Sequence, residues 1–449
     1  MQVPLLRLQC GKIGHESAAA RYAAATTPEG FKIDDAKPYA ELWMGTHPSL
    51  PSKEVETQRT LLEMIQENQA LISTEISERY GSQLPFLFKV LSIRKALSIQ
   101  AHPSKELAEK LHVRDPENYP DDNHKPEMAI ALTPFEGLCG FRPLAEIAHF
   151  FRAIEPLRTL IGSSSTSEFE KIVQENGNQN EEAADIKKKE ALRSVFTRLM
   201  NSSQTQINSA SRDLVSLAES SPASFGILEG DLRTNPTDPE ALAKILKRLN
   251  GQFPNDIGLF VFFFLNFVRL EPGEAMFLKA DDIHAYISGD IIECMASSDN
   301  VVRSGFTPKF RDVNTLTDML TYSYAPIEEQ KLRPVEYDRV SLNTTARSGG
   351  STAMLYDPPI EEFSVVKTDL TCAGAKATFQ PIAGPSIFIC SHGQGKITVG
   401  GTIENMCEGS VFFVGAAVEC IIENSGSCER DDGLFTTHKA FCELSTSSL

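Results

Sequence analysis

The sequence predicts a mainly β protein that carries a helical insertion. Residues 1 to about 150 mix short apolar runs, such as residues 85–91, with Gly, Pro and Asp turns, which is typical of strands. Apolar residues then recur at helical spacing as far as residue 265. From about residue 270 strand-like runs return. We therefore expect three domains, formed by residues 1–150 with 266–335, by residues 151–265 and by residues 336–449.

The expected helices follow from apolar residues that share one face. A first helix is predicted over residues 54–71, where Leu61, Leu62 and Ile65 lie together. Two helices of the insertion show apolar residues at i, i+3, i+4 and i+7. Their faces are Leu192, Val195, Phe196 and Leu199 in one helix, and Leu242, Ile245, Leu246 and Leu249 in the other.

Boundaries within the insertion come from capping and polar signals. The Thr-Asp-Pro-Glu stretch at 237–240 supplies a helix start, with a capping box and an early proline. The polar stretches 163–167 and 177–182 are interpreted as loops. The longest apolar run, residues 257–268, is too short to span a bilayer and predicts a buried helix.

The last part of the chain, residues 336–449, is predicted to be all-β. Residues 386–390, 395–399 and 410–414 are strand-like and separated by glycine turns. The glycines around Gln394 lack the third glycine and following helix of a phosphate loop, so they predict a hairpin turn. His392 and His438 are the only histidines here, which indicates a barrel without a metal site.

Composition narrows the class of protein. A chain of 449 residues is long enough for two or three domains. Its net charge of −17 argues against a general nucleic-acid or anionic-membrane surface. Nine cysteines without a C-x-x-C pair favour reduced thiols in the cytosol. The N-terminus shows no signal-peptide pattern, so we expect a soluble cytoplasmic protein.

Four potential metal ligands stand in two distant stretches. Gln100 and His102 are two apart, so on one strand they point to the same face. With Glu127 and His284 they make a mixed N/O shell that suits zinc and leaves a position open. The alternative is unconnected loop histidines, a strand glutamine and a surface carboxylate. Ligands on both sides of a helical block imply an insertion into one cupin-type, jelly-roll β-barrel.

Longer stretches around these residues resemble type I phosphomannose isomerase. The resembling residues are 39–48, 84–105, 121–143 and 272–313, about a quarter of the chain, in the family's order. The resemblance implies two cupin-type domains plus an α-helical domain. It also implies one Zn²⁺ per chain on the four ligands. The implied reaction interconverts mannose 6-phosphate and fructose 6-phosphate and feeds GDP-mannose synthesis. A monomer acting on a small sugar phosphate is expected.

Isomerisation of an aldose to a ketose moves a proton between C1 and C2 through an enediol. It needs a base, a donor for the developing oxyanion and a grip on the far end of the substrate. Arg303 matches an active-site arginine of the family, although a structural salt bridge is its alternative. The other catalytic candidates are Lys125, Glu293, Asp299 and His124. Ser98, Lys89 and Lys309 are candidates for substrate contacts.

Some residues depart from the family pattern. Cys10, Lys279 and Ile283 stand where a tryptophan, a glycine and a proline are expected. None is a proposed ligand, so they bear on local packing rather than on the reaction. Two other functions stay open at this point. One is a non-catalytic cupin that binds a sugar or a metal, and the other is an iron-dependent oxygenase on the same barrel.

Overall fold

The computed structural model describes residues 1–26, 31–175, 181–227, 238–343, 350–426 and 433–444. Short strands and four α-helices precede the insertion. The strands are β1 Leu5–Leu6, β2 Lys12–Ile13, β3 Pro38–Tyr39, β4 Glu41–Met44, β5 Phe86–Ile93, β6 Ile99–Ala101, β7 Glu127–Ala131 and β8 Phe135–Phe141. The helices are α1 Ala18–Thr26, α2 Leu61–Glu67, α3 Thr74–Tyr80 and α4 Lys105–Arg114.

The described part of the insertion contains seven α-helices. They are α5 Leu144–Ala153, α6 Glu155–Ile161, α7 Ser163–Gln174, α8 Glu181–Met200, α9 Gln204–Ser220, α10 Pro239–Gln252 and α11 Gly258–Val261. The predicted apolar faces of α8 and α10 are buried in one core with α5 and α6. No helix among the described residues is long and apolar enough to cross a bilayer.

Strands from both sides of the insertion share one sheet. After α11 come β9 Leu265–Leu270, β10 Ala275–Leu278, β11 His284–Ala296, β12 Val302–Gly305, α12 Val313–Met319 and β13 Lys331–Leu332. The long strand β11 pairs antiparallel with β5 and β7, and its first half pairs with β6 and β8. These pairings support the proposed domain limits 1–150 with 266–335, 151–265 and 336–449, which stay a prediction.

The C-terminal part is a sandwich of two sheets. Its strands are β14 Val335–Glu336, β15 Val340–Leu342, β16 Thr352–Tyr356, β17 Ser364–Leu370, β18 Lys376–Phe379, β19 Ser386–His392, β20 Gln394–Val399, β21 Thr402–Cys407, β22 Val411–Val414, β23 Cys420–Asn424 and β24 Phe435–Phe441. The order is β14-β16-β17-β24-β19-β22 in one sheet and β15-β18-β23-β20-β21 in the other. The predicted fold class, mainly β with a helical insertion, is confirmed.

The six-stranded sheet also packs against the N-terminal sheet. Val365, Ile387, Ile389 and Ala440 point away from the interior of the sandwich and join the core that contains Phe88 of β5. Burial of apolar surface on this scale holds the two β-structures together, since each buried aliphatic side chain contributes roughly 1.5–3 kcal/mol.

Several local predictions were wrong. The helix expected over 54–71 begins only at Leu61, because Thr60 and Glu63 form a capping box, and it ends at Glu67 before a short 3₁₀ turn. Residues 163–167 open α7 instead of forming a loop, since Phe169 of that helix is buried. Of 177–182, residues 181 and 182 begin α8 and the others lie outside the described residues. The N-cap of α10 is Asp238, whereas Thr237 also lies outside them.

The apolar run 257–268 is mostly not helical. Only Gly258–Val261 is a helix, and β9 begins at Leu265. Asn266 donates hydrogen bonds to the carbonyls of Cys139, Phe141 and Ala325, which fixes the strand in the core. A run that is buried all round carries no periodicity, so its sequence alone does not separate helix from strand.

The turn at Gly393 is not a hairpin. It joins β19 and β20, which belong to different sheets. Gly393 has a φ of +78°, and a Cβ there would lie 2.2 Å from the Leu434 carbonyl oxygen. Only glycine tolerates this conformation and this approach at low cost.

Candidate metal centre

Three strands bring four potential ligands to one point. Gln100 lies on β6 and His102 follows that strand directly, while Glu127 begins β7 and His284 begins β11. His284 stands opposite Gln100 in the antiparallel register. Side chains that face each other across such a pair are neighbours, so residues far apart in sequence meet here.

The distances define a compact, buried cluster. His102 Nε2 lies 3.2 Å from Glu127 Oε1, and Gln100 Nε2 lies 3.4 Å from His102 Nε2. One ligand atom from each of His102, Glu127 and His284 falls within 4.8 Å of the others. All three residues are at most 2% exposed.

Hydrogen bonds fix both imidazole rings. His102 Nδ1 lies 2.7 Å from the Asn300 carbonyl oxygen, and His284 Nδ1 lies 3.3 Å from that of Asp282. A carbonyl only accepts, so each Nδ1 carries a proton and each Nε2 is the nitrogen that can ligate a metal. His284 Nε2 is 3.4 Å from Glu127 Oε2, yet this buried nitrogen has no hydrogen-bond partner among the described residues. An unpartnered buried nitrogen beside a carboxylate fits a bound cation.

The protonation states suit a metal as well. Burial lowers the pKa of His102 to about 4, with Lys125 acting in the same direction. Burial raises the pKa of Glu127, but the interactions with His102 and Lys125 outweigh it and hold that pKa well below its usual range. Lys125 Nζ lies 3.2 Å from Glu127 Oε1. The imidazole of His102 is therefore neutral, and together with His284 and the Glu127 carboxylate it forms a donor set that suits zinc.

A second group of charges lies on the neighbouring strands. Lys89 on β5 stands opposite Glu293 on β11, and their charged atoms are 3.1 Å apart. Burial lowers the pKa of Lys89, but Glu293 and Glu41 raise it by more than burial lowers it, so the ammonium stays charged. The pKa of Glu293 is raised, mainly by its own burial.

Arg303 lies close to this cluster on β12. It stands opposite Gln100 in the strand register. Burial lowers the pKa of its guanidinium from 12.5, which still leaves a cation at neutral pH. Its guanidinium makes no ion pair within the described part of the chain, so the salt-bridge alternative does not hold there.

Of the remaining predicted residues, three contact another side chain and one, Lys309, is exposed. Ser98 donates to Gln100 Oε1 at 2.8 Å, and His124 Nε2 lies 2.6 Å from Glu362 of the C-terminal part. Asp299 pairs with His47 at 3.2 Å, and the hydrogen bond from His47 lowers the pKa of Asp299. Lys309 is exposed, and none of its hydrogen bonds to described residues joins it to the cluster.

Sequence reasoning missed three residues that contact the predicted site residues. Tyr286 donates to Glu127 Oε2 at 3.4 Å, and its position two residues after His284 on β11 was an available signal. The Asn300 carbonyl orients His102. Glu362 carried no signal, because 238 residues separate it from its partner His124.

Comparisons with known proteins agree with the geometry. Residues 3–144 match the phosphomannose isomerase type I catalytic domain, 160–265 its helical insertion domain and 353–402 its C-terminal region. The mannose-6-phosphate isomerase of Emericella nidulans is 67% identical over 99% of this chain and 98% of the relative. That of Saccharomyces cerevisiae is 46% identical over 96% of both chains.

Solved structures show the same architecture. A crystal structure of mannose 6-phosphate isomerase bound with zinc and yttrium superposes with a TM-score of 0.75. The identity is 25%, and 98% of each chain is covered. A variant of phosphomannose isomerase from Salmonella typhimurium gives a TM-score of 0.76 with the same identity and coverage.

Proposed function

Because this chain belongs to the type I phosphomannose isomerase family, its reaction is that of a mannose-6-phosphate isomerase, and we propose that it proceeds through an enediol. The observation that carries this proposal is the buried cluster of two imidazoles and a carboxylate, whose ligand atoms lie within 4.8 Å of one another. A lysine borders this cluster and a guanidinium without an ion pair lies near it. Such a site combines a metal position with fixed positive charge, which an enediolate requires.

The proposed metal is one zinc ion per chain, held by Gln100, His102, Glu127 and His284. When bound, zinc supplies a Lewis acid that neutralises negative charge developing on substrate oxygens. The carbonyls of Asn300 and Asp282 keep both rings in the ligating tautomer. A 180° rotation of the Gln100 amide about its last side-chain bond turns Oε1 towards His102 and lets Nε2 donate to Ser98.

We assign charge stabilisation to Arg303 and proton handling to the groups around it. A guanidinium stays protonated, so Arg303 acts as a fixed donor to an oxyanion and not as a base. Lys125 lies where it can donate to a substrate hydroxyl beside Glu127. Glu293, whose pKa is raised by burial, is suited to holding a proton. Asp299, whose pKa is lowered, is suited to accepting a hydrogen bond.

The remaining candidates are proposed for ring opening and for substrate contacts. His124 is half-buried and is oriented by Glu362, so its ring is placed to pass a proton to a sugar oxygen. Ser98 and Lys89 lie on the same side of the barrel as the cluster, and they are proposed to contact sugar hydroxyls or phosphate. Lys309 is exposed, so its proposed role is limited to attracting the phosphate at the rim.

A coupled assay tests the function directly. The purified protein is given mannose 6-phosphate, and fructose 6-phosphate is measured before and after chelation, with zinc content determined in parallel. Loss of activity with the zinc, and its return with added zinc, support the proposal. Binding of the sugar phosphate without turnover would indicate a non-catalytic cupin. Oxygen consumption with bound iron would indicate an oxygenase.

The cellular setting is part of the proposal. We propose a cytoplasmic monomer that supplies mannose 6-phosphate for GDP-mannose synthesis. The negative net charge of −17 is consistent with a small-molecule enzyme that has no nucleic-acid or membrane partner. Light scattering on the purified protein measures the oligomeric state, and a mass near 49.4 kDa is expected.

A further inference from the structure

A cavity of about 410 Å³ lies between the N-terminal and C-terminal β-structures, apart from the metal centre. One wall is helix α1, with Arg21 and Tyr22. A second wall is the end of β7 with the turn at Gly273, and the third is the six-stranded C-terminal sheet. Cavities of roughly this volume hold small molecules in proteins.

The cavity wall arises where one face of a sheet changes character. On β17, Val365 packs into the core between the two β-structures, whereas Lys367 and Asp369 continue the same face. Across the register, Ala440 is apolar and His438 and Thr436 are polar. The interface is therefore lined by apolar side chains at one end and by polar side chains at the other.

The polar end is a connected and largely buried network. Lys367 Nζ lies 2.6 Å from Asp369 Oδ2, and Thr436 donates to Asp369 Oδ1 at 2.7 Å. Ser391 Oγ lies 3.0 Å from His438 Nδ1. His438 is 1% exposed, and Thr436 is 5% exposed.

One ring nitrogen of His438 has no hydrogen-bond partner among the described residues. His438 lines the cavity, yet only its Nδ1 has a hydrogen-bond partner among the described residues. Burial lowers the pKa of His438 to about 3, so the ring is neutral and Nε2 offers one hydrogen bond. This nitrogen is not among the fully enclosed unpaired atoms of the described residues, so it is accessible from the cavity and can bond an occupant there.

The chemistry of the walls selects the occupant. Lys367 and Arg21 are already paired, the latter with Glu408 at 3.4 Å, so an anionic ligand would have to compete with carboxylates. The groups that remain available to a ligand are uncharged hydrogen-bonding atoms and the aromatic ring of Tyr22. Hydroxyl groups and a C–H face match both, as a sugar ring provides.

We propose that this cavity is a binding site for an uncharged, polyhydroxylated molecule of the size of a free hexose, with His438 bonding one hydroxyl. The site is independent of the isomerase assignment. Strand β7 nevertheless connects it to the metal centre, since β7 begins at Glu127 and ends at Ala131 in the cavity wall, about 13 Å away along the strand.

The test uses D-mannose on the full-length, zinc-loaded protein, with binding followed by saturation-transfer NMR and titration calorimetry. A dissociation constant in roughly the millimolar range is expected for a ligand this small. His438→Phe keeps the ring volume but removes both nitrogens, and it should weaken binding by about tenfold. His149→Phe is the matched control, because His149 is also a buried histidine but lies in the helical insertion.

Two further arms keep the result decisive. His102→Ala should lose zinc and isomerase activity but bind D-mannose as before, which separates this cavity from the metal centre. Ser391→Ala replaces His438→Phe if that variant fails to fold, and it should also weaken binding. A crystal soaked in D-mannose should show the sugar beside His438. Absence of saturable binding, or water only in the cavity, overturns the proposal, as does binding that disappears with His102→Ala.

Discussion

Removing the guanidinium of Arg303 is the sharpest test of the proposed chemistry. The residue stands opposite Gln100 in the β6–β12 pair and is half-buried. Arg303→Ala therefore takes one charged donor away from the site without removing a metal ligand. Zinc content and the melting temperature should stay close to those of the parent protein.

The expected loss follows from the role of one donor to a developing oxyanion. Such a donor contributes about 3–4 kcal/mol to the transition state, which corresponds to a loss of roughly 10²–10³ in kcat. Arg303→Lys keeps a charge but loses the planar fork, so it should restore only part of the activity. If Arg303 instead holds phosphate in the ground state, the loss appears in KM while kcat is nearly unchanged.

The assay is steady-state formation of fructose 6-phosphate, with zinc measured on the same samples. Arg311→Ala is a matched control, since Arg311 is a nearby half-buried arginine whose Nη1 donates to the Ser304 carbonyl at 3.3 Å. Wild-type kinetics for Arg303→Ala would refute the assigned role and move the charge-stabilising function to Lys125. Loss of zinc together with activity would show that Arg303 supports the metal centre instead.

Three further outcomes are expected. His284→Ala should lose zinc and activity together while circular dichroism shows the fold retained; a zinc-replete variant would contradict the ligand assignment. Glu362→Gln removes the carboxylate 2.6 Å from His124 and should lower kcat by roughly tenfold at unchanged zinc content, whereas the neighbouring Glu361→Gln should not. Because the folded pKa of His438 is about 3 and that of an unfolded histidine is near 6.5, the unfolded state binds more protons between these values. His438 therefore lowers stability as pH falls from about 6.5 to 3, by on the order of a few kcal/mol. His438→Phe should have a shallower decline of the free energy of unfolding over this window, and identical slopes would refute the assignment.

Several features that depend on short-range sequence patterns were predicted correctly. The apolar faces of α8 and α10 are buried as expected, because a face with a period of 3.6 residues has one favourable way to meet a core. The ligand stretches were also found, and the structure brings Gln100, His102, Glu127 and His284 together. Their spacing alone left loop histidines as an alternative, which the register of β6, β7 and β11 removes.

Predictions failed where the neighbours of a segment decide its conformation. The run from 257 to 268 has one polar residue, Asn266, which is too few to mark a helical or a strand period, and the pairing of β9 with β8 selected a strand. The turn at Gly393 was recognised, but its path depends on the close approach of Leu434.

The sequence by itself determined the class of the fold, the helical insertion and the residues that are available as ligands. These features depend on side-chain chemistry and on contacts within a few residues along the chain. Only the tertiary structure decided which of the charged residues meet, such as His124 with Glu362 and Lys89 with Glu293. It also formed the cavity at His438 between two sheets. Such contacts join residues tens to hundreds of positions apart, and their geometry is fixed by strand register and packing that no local pattern specifies.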